Sequence, residues 1–183
     1  MTRALFAAAL AFASAAANAA FDEAELMRQL AATTEVQSAY TERKTSPLLA
    51  APLDNSGTLT YRRPNVIEKN VASPRREKLR ILADEVVVER NGQERRIAIA
   101  SQPTLAAFAA SLRGVLSGDS AVLRKYFKLR VSGAEEAWSL ELVPIDAAVS
   151  RYVERVVVEG RGGRVGRIET FEVSGDRTVL ELR

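Results

Sequence analysis

The run Trp138-x-Leu140-x-Leu142 alternates apolar and polar residues, and the same period of two recurs along most of the chain. Side chains alternate across a strand, so such a run buries one face and leaves the other to water. The pattern predicts strands at VQSAYTERK (36–44), GTLTYRR (57–63), NVIEKNV, EKLRIL, EVVVER and QERRIAIA (93–100). It predicts more at FKLRVSG, AWSLELVP, RYVERVVVEG, GRVGRIETFEV and RTVLELR. Turn residues separate them: Asn55-Ser56-Gly57 after the loop that starts at Ser46, then Pro64, Asn91-Gly92, Gly133, Pro144, Gly162-Gly163 and Ser174-Gly175-Asp176. About ten short strands at this spacing describe a single antiparallel sheet with one apolar face.

Helical spacing is confined to a few places. Asp22 caps a helix over 22–32, with Leu26, Met27, Leu30 and Ala31 on one side. Ser101-Gln102-Pro103 opens a second over 103–115, where Leu105, Phe108, Leu112 and Val115 recur at helical intervals. Asp119 caps a short third, and Asp146 to Arg151 form a helical turn. The expected class is α+β, mostly β: an open, unclosed antiparallel barrel covered by about three helices, in one domain over 20–183. A long sheet has an apolar concave side that must be covered, and the helices at 22–32 and 103–115 are the available lids.

The first residues stand apart. MTR carries one positive charge, ALFAAALAFASAAA is small and apolar, and Ala17-Asn18-Ala19 fits a small-x-small cleavage site. That order reads as a secretory signal peptide, 1–19, cut after Ala19 with Ala20 as the alternative. No other apolar run reaches the ~18 residues of a membrane span. The absence of Cys removes a lipid anchor on a mature N-terminal cysteine. Together these point to a soluble protein of a Gram-negative periplasm.

Much chemistry is missing. Without His or Cys there is no Ser-His-Asp or Cys-His nucleophile system, no thiol redox chemistry and hardly any zinc site. Asp22, Glu23, Glu25, Asp84, Glu85, Glu135 and Glu136 sit at helix starts or turns, where acids belong anyway. GRGGRVG fails as a phosphate loop, because Val165 stands where the third Gly is required. The 26 Lys and Arg are interspersed with 23 Asp and Glu, which describes a solvated surface and not a nucleic-acid footprint. No enzyme, metal or cofactor is expected, and no nucleic-acid partner.

One charge is out of place. In TLTYRRP, period two sends Leu59 and Tyr61 to the apolar face and Arg63 with them. A guanidinium there is costly unless something bonds it. Either it meets groups of the covering helices, or it forms a surface ion pair with Glu68 or Glu42.

The order of elements resembles the LolA family of periplasmic outer-membrane lipoprotein carriers, from Phe21 to Leu182. SGTLTYRRPNVIEKNV resembles the family's G-x-L-x-x-x-R-P-N segment and is the most specific piece. VQSAYTERK, EKLRILADEVVVERNG, WSLELVPID and RVGRIETFEVSGDRTVLELR resemble its first strand, a following hairpin, a strand ending in Pro and the last hairpin. Ala83-Asp84-Glu85 replaces the usual Asp-Gly turn, and the chain stops after RTVLELR, where the main-line carriers continue.

The resemblance implies an apolar cavity for acyl chains, with Arg63 as a latch on the lid helices. The implied cargo is an acylated lipoprotein or a (glyco)lipid, taken from an inner-membrane donor protein and passed to an outer-membrane acceptor by a monomeric carrier. The residues expected to line the cavity are Leu26, Met27 and Leu30, then Tyr40, Leu59 and Tyr61, then Ile97 and Ile99. Leu105, Phe108 and Leu112 join them from the second helix, and Trp138, Leu140 and Leu142 from the sheet. Taken singly, each reads more readily as plain core than as a cargo contact. A periplasmic sensor or adaptor that binds a protein partner through the same fold is the alternative function, and a lipid hydrolase ranks last.

Overall fold

The computed structural model of the chain describes residues 21–64, 66–101 and 103–183, with residues 103–108 and 111 described by their backbone alone. Eleven strands form one antiparallel sheet: β1 Glu35–Thr45, β2 Leu53–Arg62, β3 Val66–Ser73, β4 Glu77–Ile81, β5 Glu85–Arg90, β6 Gln93–Ala98, β7 Phe127–Ala134, β8 Ala137–Pro144, β9 Val153–Arg161, β10 Arg164–Glu172 and β11 Arg177–Leu182. The helices are α1 Glu23–Ala31, α2 Pro103–Ser117, α3 Ser120–Leu123 and α4 Ala147–Ser150, with a 3-10 turn at Ile99–Ser101. The spatial order is β6-β5-β4-β3-β2-β1-β11-β10-β9-β8-β7. Its end strands β6 and β7 are not paired with each other, so the sheet does not close.

Register places the apolar alternation of neighbouring strands on one inner face. Val36 lies opposite Tyr61, and Tyr61 opposite Ile67. Ile67 lies opposite Ile81, and Ile81 opposite Val86. On the other half Leu140 pairs with Val158 and Val158 with Ile168. Two buried clusters result. One joins Leu26 and Leu30 of α1 to Trp138, Leu140, Leu142 and Val158. The other gathers Tyr40, Leu59, Tyr61, Ile67, Ile81 and Val86. Helix α2 serves both, with Val115 in the first and Ala109 and Leu116 in the second.

The caps expected at Asp22, Asp119 and Asp146 form: each side chain accepts backbone N–H groups of its helix's first turn. Three local expectations are corrected. Asn55-Ser56-Gly57 is not a turn; it lies inside β2, and the chain reverses before Leu53 instead. Gly57 is needed there for closeness, since a Cβ would stand 1.8 Å from the Asn70 carbonyl oxygen of β3. Gly133 likewise belongs to β7, with the turn at residues 135 and 136. β6 ends at Ala98, so Ile99 falls in the 3-10 turn and not on the strand.

The seven exposed large apolar side chains among the described residues are Leu48, Leu49, Leu53, Val143, Ile145, Tyr152 and Val173, led by Leu48 at 91% exposure. All lie at or just beyond the same ends of their strands. Strand pairing brings the start of β2 beside the end of β1, the start of β11 beside the end of β10, and the start of β9 beside the end of β8.

On the outer face Glu169 is nearly buried and bonds both Arg177 and Arg167, the latter at 2.8 Å. Burial pushes its pKa up, but Arg177 and then Arg167 outweigh that and hold it below the ordinary carboxylate value. A depressed carboxylate contributes stability that is present above its unfolded pKa and lost as pH falls through the folded one. Urea unfolding measured from about pH 5 down to about pH 3 is therefore expected to show falling stability. Glu169→Gln should cost about 1–2 kcal/mol at neutral pH and flatten that acid loss, because Arg167 and Arg177 lose their shared partner.

Candidate functional site

Arg63 lies one residue past β2 and is exposed, not half-buried within the strand as its period suggested. Its backbone N–H donates to the Thr34 carbonyl at 3.0 Å. Its guanidinium turns over the ends of two helices. Nε donates to the Thr33 carbonyl at 3.1 Å, and Nη2 donates to the Ala31 carbonyl and to the Ser117 carbonyl at 3.0 Å. One side chain thus satisfies terminal carbonyls of both α1 and α2, groups that have no partner within their own helices. The positive charge also faces the negative ends of both helix dipoles. The alternative ion pairs do not form: Glu68 pairs with Lys78 at 3.2 Å and Glu42 with Lys69 at 2.6 Å.

A second guanidinium ties α2 to the sheet. Arg113 donates to the Leu82 carbonyl between β4 and β5. Burial lowers its pKa and nearby Asp84 works against that shift.

Apart from these ties lies a cleft of about 580 Å³, bordered on its apolar side by Leu30 and Leu116 of the helices and by Val36, Leu59, Tyr61 and Leu182 of the sheet, and on its polar side by Glu35, Gln37, Glu136, Glu159 and Arg167; neither Arg63 nor Arg113 lines it. Arg161, Arg164 and Arg183 stand on its rim. A smaller, almost wholly apolar hollow of about 70 Å³ lies between α2 and β8–β10, against Leu112, Val115, Leu142 and Ile168.

The expected lining residues divide accordingly. Leu30, Leu59 and Tyr61 border the cleft, and Leu112 and Leu142 border the small hollow. Leu26, Met27, Tyr40, Trp138 and Leu140 are packed into the two clusters. Ile99 packs on the second cluster from the 3-10 turn, and Ile97 is partly buried on β6 opposite Val86. The side chains of Leu105 and Phe108 lie outside the described residues. Val36, Val165, Leu182 and Ile168 are not among the expected residues; Val165 and Ile168 lie three apart on β10 and share a face only through the register shift between Val165 and Arg167.

No group of three or more Asp and Glu able to hold a metal occurs among the described residues, and none of their helices is long and apolar enough to cross a membrane. The sequence matches the family model of LolA-like outer membrane lipoprotein carrier proteins over residues 15–182. The chain belongs to the LolA-like family. No curated protein matches it significantly. A Vibrio parahaemolyticus domain named for outer-membrane lipoprotein sorting shares 11% identity over 87% of this chain and 88% of its own, with a TM-score of 0.51, which is likeness of fold alone. A LolA superfamily protein of Nitrosomonas europaea, NE2245, shares 13% identity over 90% of this chain and 92% of its own, at a TM-score of 0.46. Lipoprotein LppX of Mycobacterium tuberculosis shares 11% over 88% and 93%, at 0.45.

In this LolA-like chain the junction of α1 and α2 is fixed by Gly118, at φ +67°, just past the Ser117 carbonyl that Arg63 holds. A Cβ there would stand 2.1 Å from the Met27 carbonyl oxygen and 2.7 Å from the Ala31 nitrogen. Gly118→Ala is expected to destabilise the protein by about 2 kcal/mol or more, through left-handed strain and the clash, read as a lower urea midpoint.

Proposed function

We propose that this protein is a periplasmic carrier that shelters the acyl chains of a lipid or lipoprotein under its helical lid and shuttles them towards the outer membrane. The observation that carries the proposal is a cleft with an apolar wall between the helices and the sheet, together with helices held at their ends by Arg63 and at the sheet by Arg113. A site of about 580 Å³ lies in the ordinary range for small-molecule pockets. A methylene moved out of water gains about 0.8 kcal/mol, so a chain of roughly sixteen carbons offers on the order of 13 kcal/mol before ordering costs. Displacing three hydrogen bonds from an exposed guanidinium lies well within that gain. Arg63 then holds α1 and α2 in the empty state and lets go as cargo enters.

The proposal includes removal of residues 1–19 on export and a single carrier domain over 20–183, acting as a monomer by binding and not by catalysis. Cargo comes from a donor at the inner membrane and goes to an acceptor at the outer one. A second reading, an adaptor that docks a protein partner, is favoured by the exposed apolar edge around Leu48.

Mass spectrometry of organic extracts of the purified protein separates the two. Acylated molecules at near-stoichiometric amounts are expected of a carrier, and a lipid-free protein that retains a polypeptide would sink that reading. In stopped-flow assays with a fluorescent acyl probe, Arg63→Leu is expected to raise entry and exit rates about tenfold. Unchanged rates would remove Arg63 from the gating step.

A further inference from the structure

Beyond the cleft, the inner face carries a polar island. Tyr40 is 2% exposed, packed among Leu59, Ile67, Ile81 and Val86, yet its hydroxyl has no hydrogen-bond partner among the described residues. Glu42 follows two residues on along the same face of β1. It accepts from Lys69 Nζ at 2.6 Å and from Asn55 Nδ2 at 2.8 Å. Lys69 lies over the Tyr40 ring, 5.1 Å from its centre. Opposite Tyr40 stand Leu182 on β11 and Gly57 on β2, the latter adding no side chain. Apolar surface therefore meets a hydroxyl, an ion pair and an amide at one place on the inner face, in the cluster that α2 covers and outside the two cavities, so a ligand reaches it only when α2 moves aside. Tyr61 differs: its hydroxyl, buried and without a bonded partner too, has the Arg63 guanidinium nearby, and burial raises its pKa while Arg63 works against that.

We propose that the Tyr40 hydroxyl is the seat for a neutral carbonyl at the root of an acyl chain, an ester or amide, with the chain lying on the apolar face and the linkage beside the Glu42–Lys69 pair. The inference rests on the acyl-carrier reading and adds to it the chemical class and the orientation of the cargo. A buried hydroxyl lacking an acceptor is a donor waiting for one. Burial, and then the charges of Glu42 and Glu77, push the Tyr40 pKa up to about 12, so it remains a donor at neutral pH. The same two carboxylates disfavour an incoming carboxylate, and the nearby cation is already committed to Glu42. An esterified or amidated chain should thus be preferred over a free fatty acid.

The test uses the purified protein, wild type and Tyr40→Phe, loaded with diphenylhexatriene as a hydrocarbon probe and titrated with monopalmitoylglycerol or with palmitate. Expected are equal probe affinity in both proteins, about tenfold weaker displacement by the ester in Tyr40→Phe, and weaker displacement by palmitate in the wild type with no further loss in the variant. Ester affinities within twofold of each other, with probe binding intact, overturn the carbonyl seat and leave the carrier reading standing. Failure of the probe to bind either protein overturns both. The melting temperature of the empty Tyr40→Phe protein should hold or rise, since only an unpaired hydroxyl is lost. A fall of several degrees would mean that the hydroxyl is already bonded, and would equally overturn the proposal.

Discussion

A sheet whose end strands do not meet cannot seal its own inner face. Here β6 and β7 remain unpaired with each other at opposite ends of eleven strands, and the apolar side chains between them must be covered by something other than sheet. Helix α2 does this by contributing to both buried clusters at once. A helix with no strand neighbour has no ladder of hydrogen bonds to hold it. Its position depends on side-chain packing and on two guanidinium groups, Arg63 from the end of β2 and Arg113 from its own surface. Contacts of that kind break and re-form singly, whereas a sheet ladder does not.

The inner face is also graded along the strands. Near the helix ends it is Val36, Tyr61 and Ile67; further along come Glu42, Asn55 and Lys69. Beyond those, Lys44 pairs with Glu172 and Asp176. The far ends of the strands then carry exposed apolar side chains, Leu48 and its neighbours. This gradation follows from an alternation in which only the residue type changes along each strand.

Most of this frame was legible because alternation is a backbone property. Trp138, Leu140 and Leu142 showed their face without help from any other strand, and Asp22, Asp119 and Asp146 marked helix starts by side-chain chemistry that acts locally. Asn55-Ser56-Gly57 misled because its residues suit a turn equally well, while the reason for Gly57 is the close approach of Asn70 from a different strand. The cleft could not be listed from alternation alone. Val36 and Leu182 border it with Leu59 because of how β1, β2 and β11 align, and register across distant strands leaves little local trace. Arg63 was visible as a charge on an apolar face, but what it bonds was not, since backbone carbonyls carry no signature in the sequence.

Those carbonyls have an implication of their own. Ala31, Thr33 and Ser117 offer oxygens that every amino acid possesses, so no replacement of their side chains can erase the docking points themselves. The fastening at these three oxygens is written at a single codon. Both helices are free to diversify their surfaces as long as their last turns stay where that one guanidinium can find them.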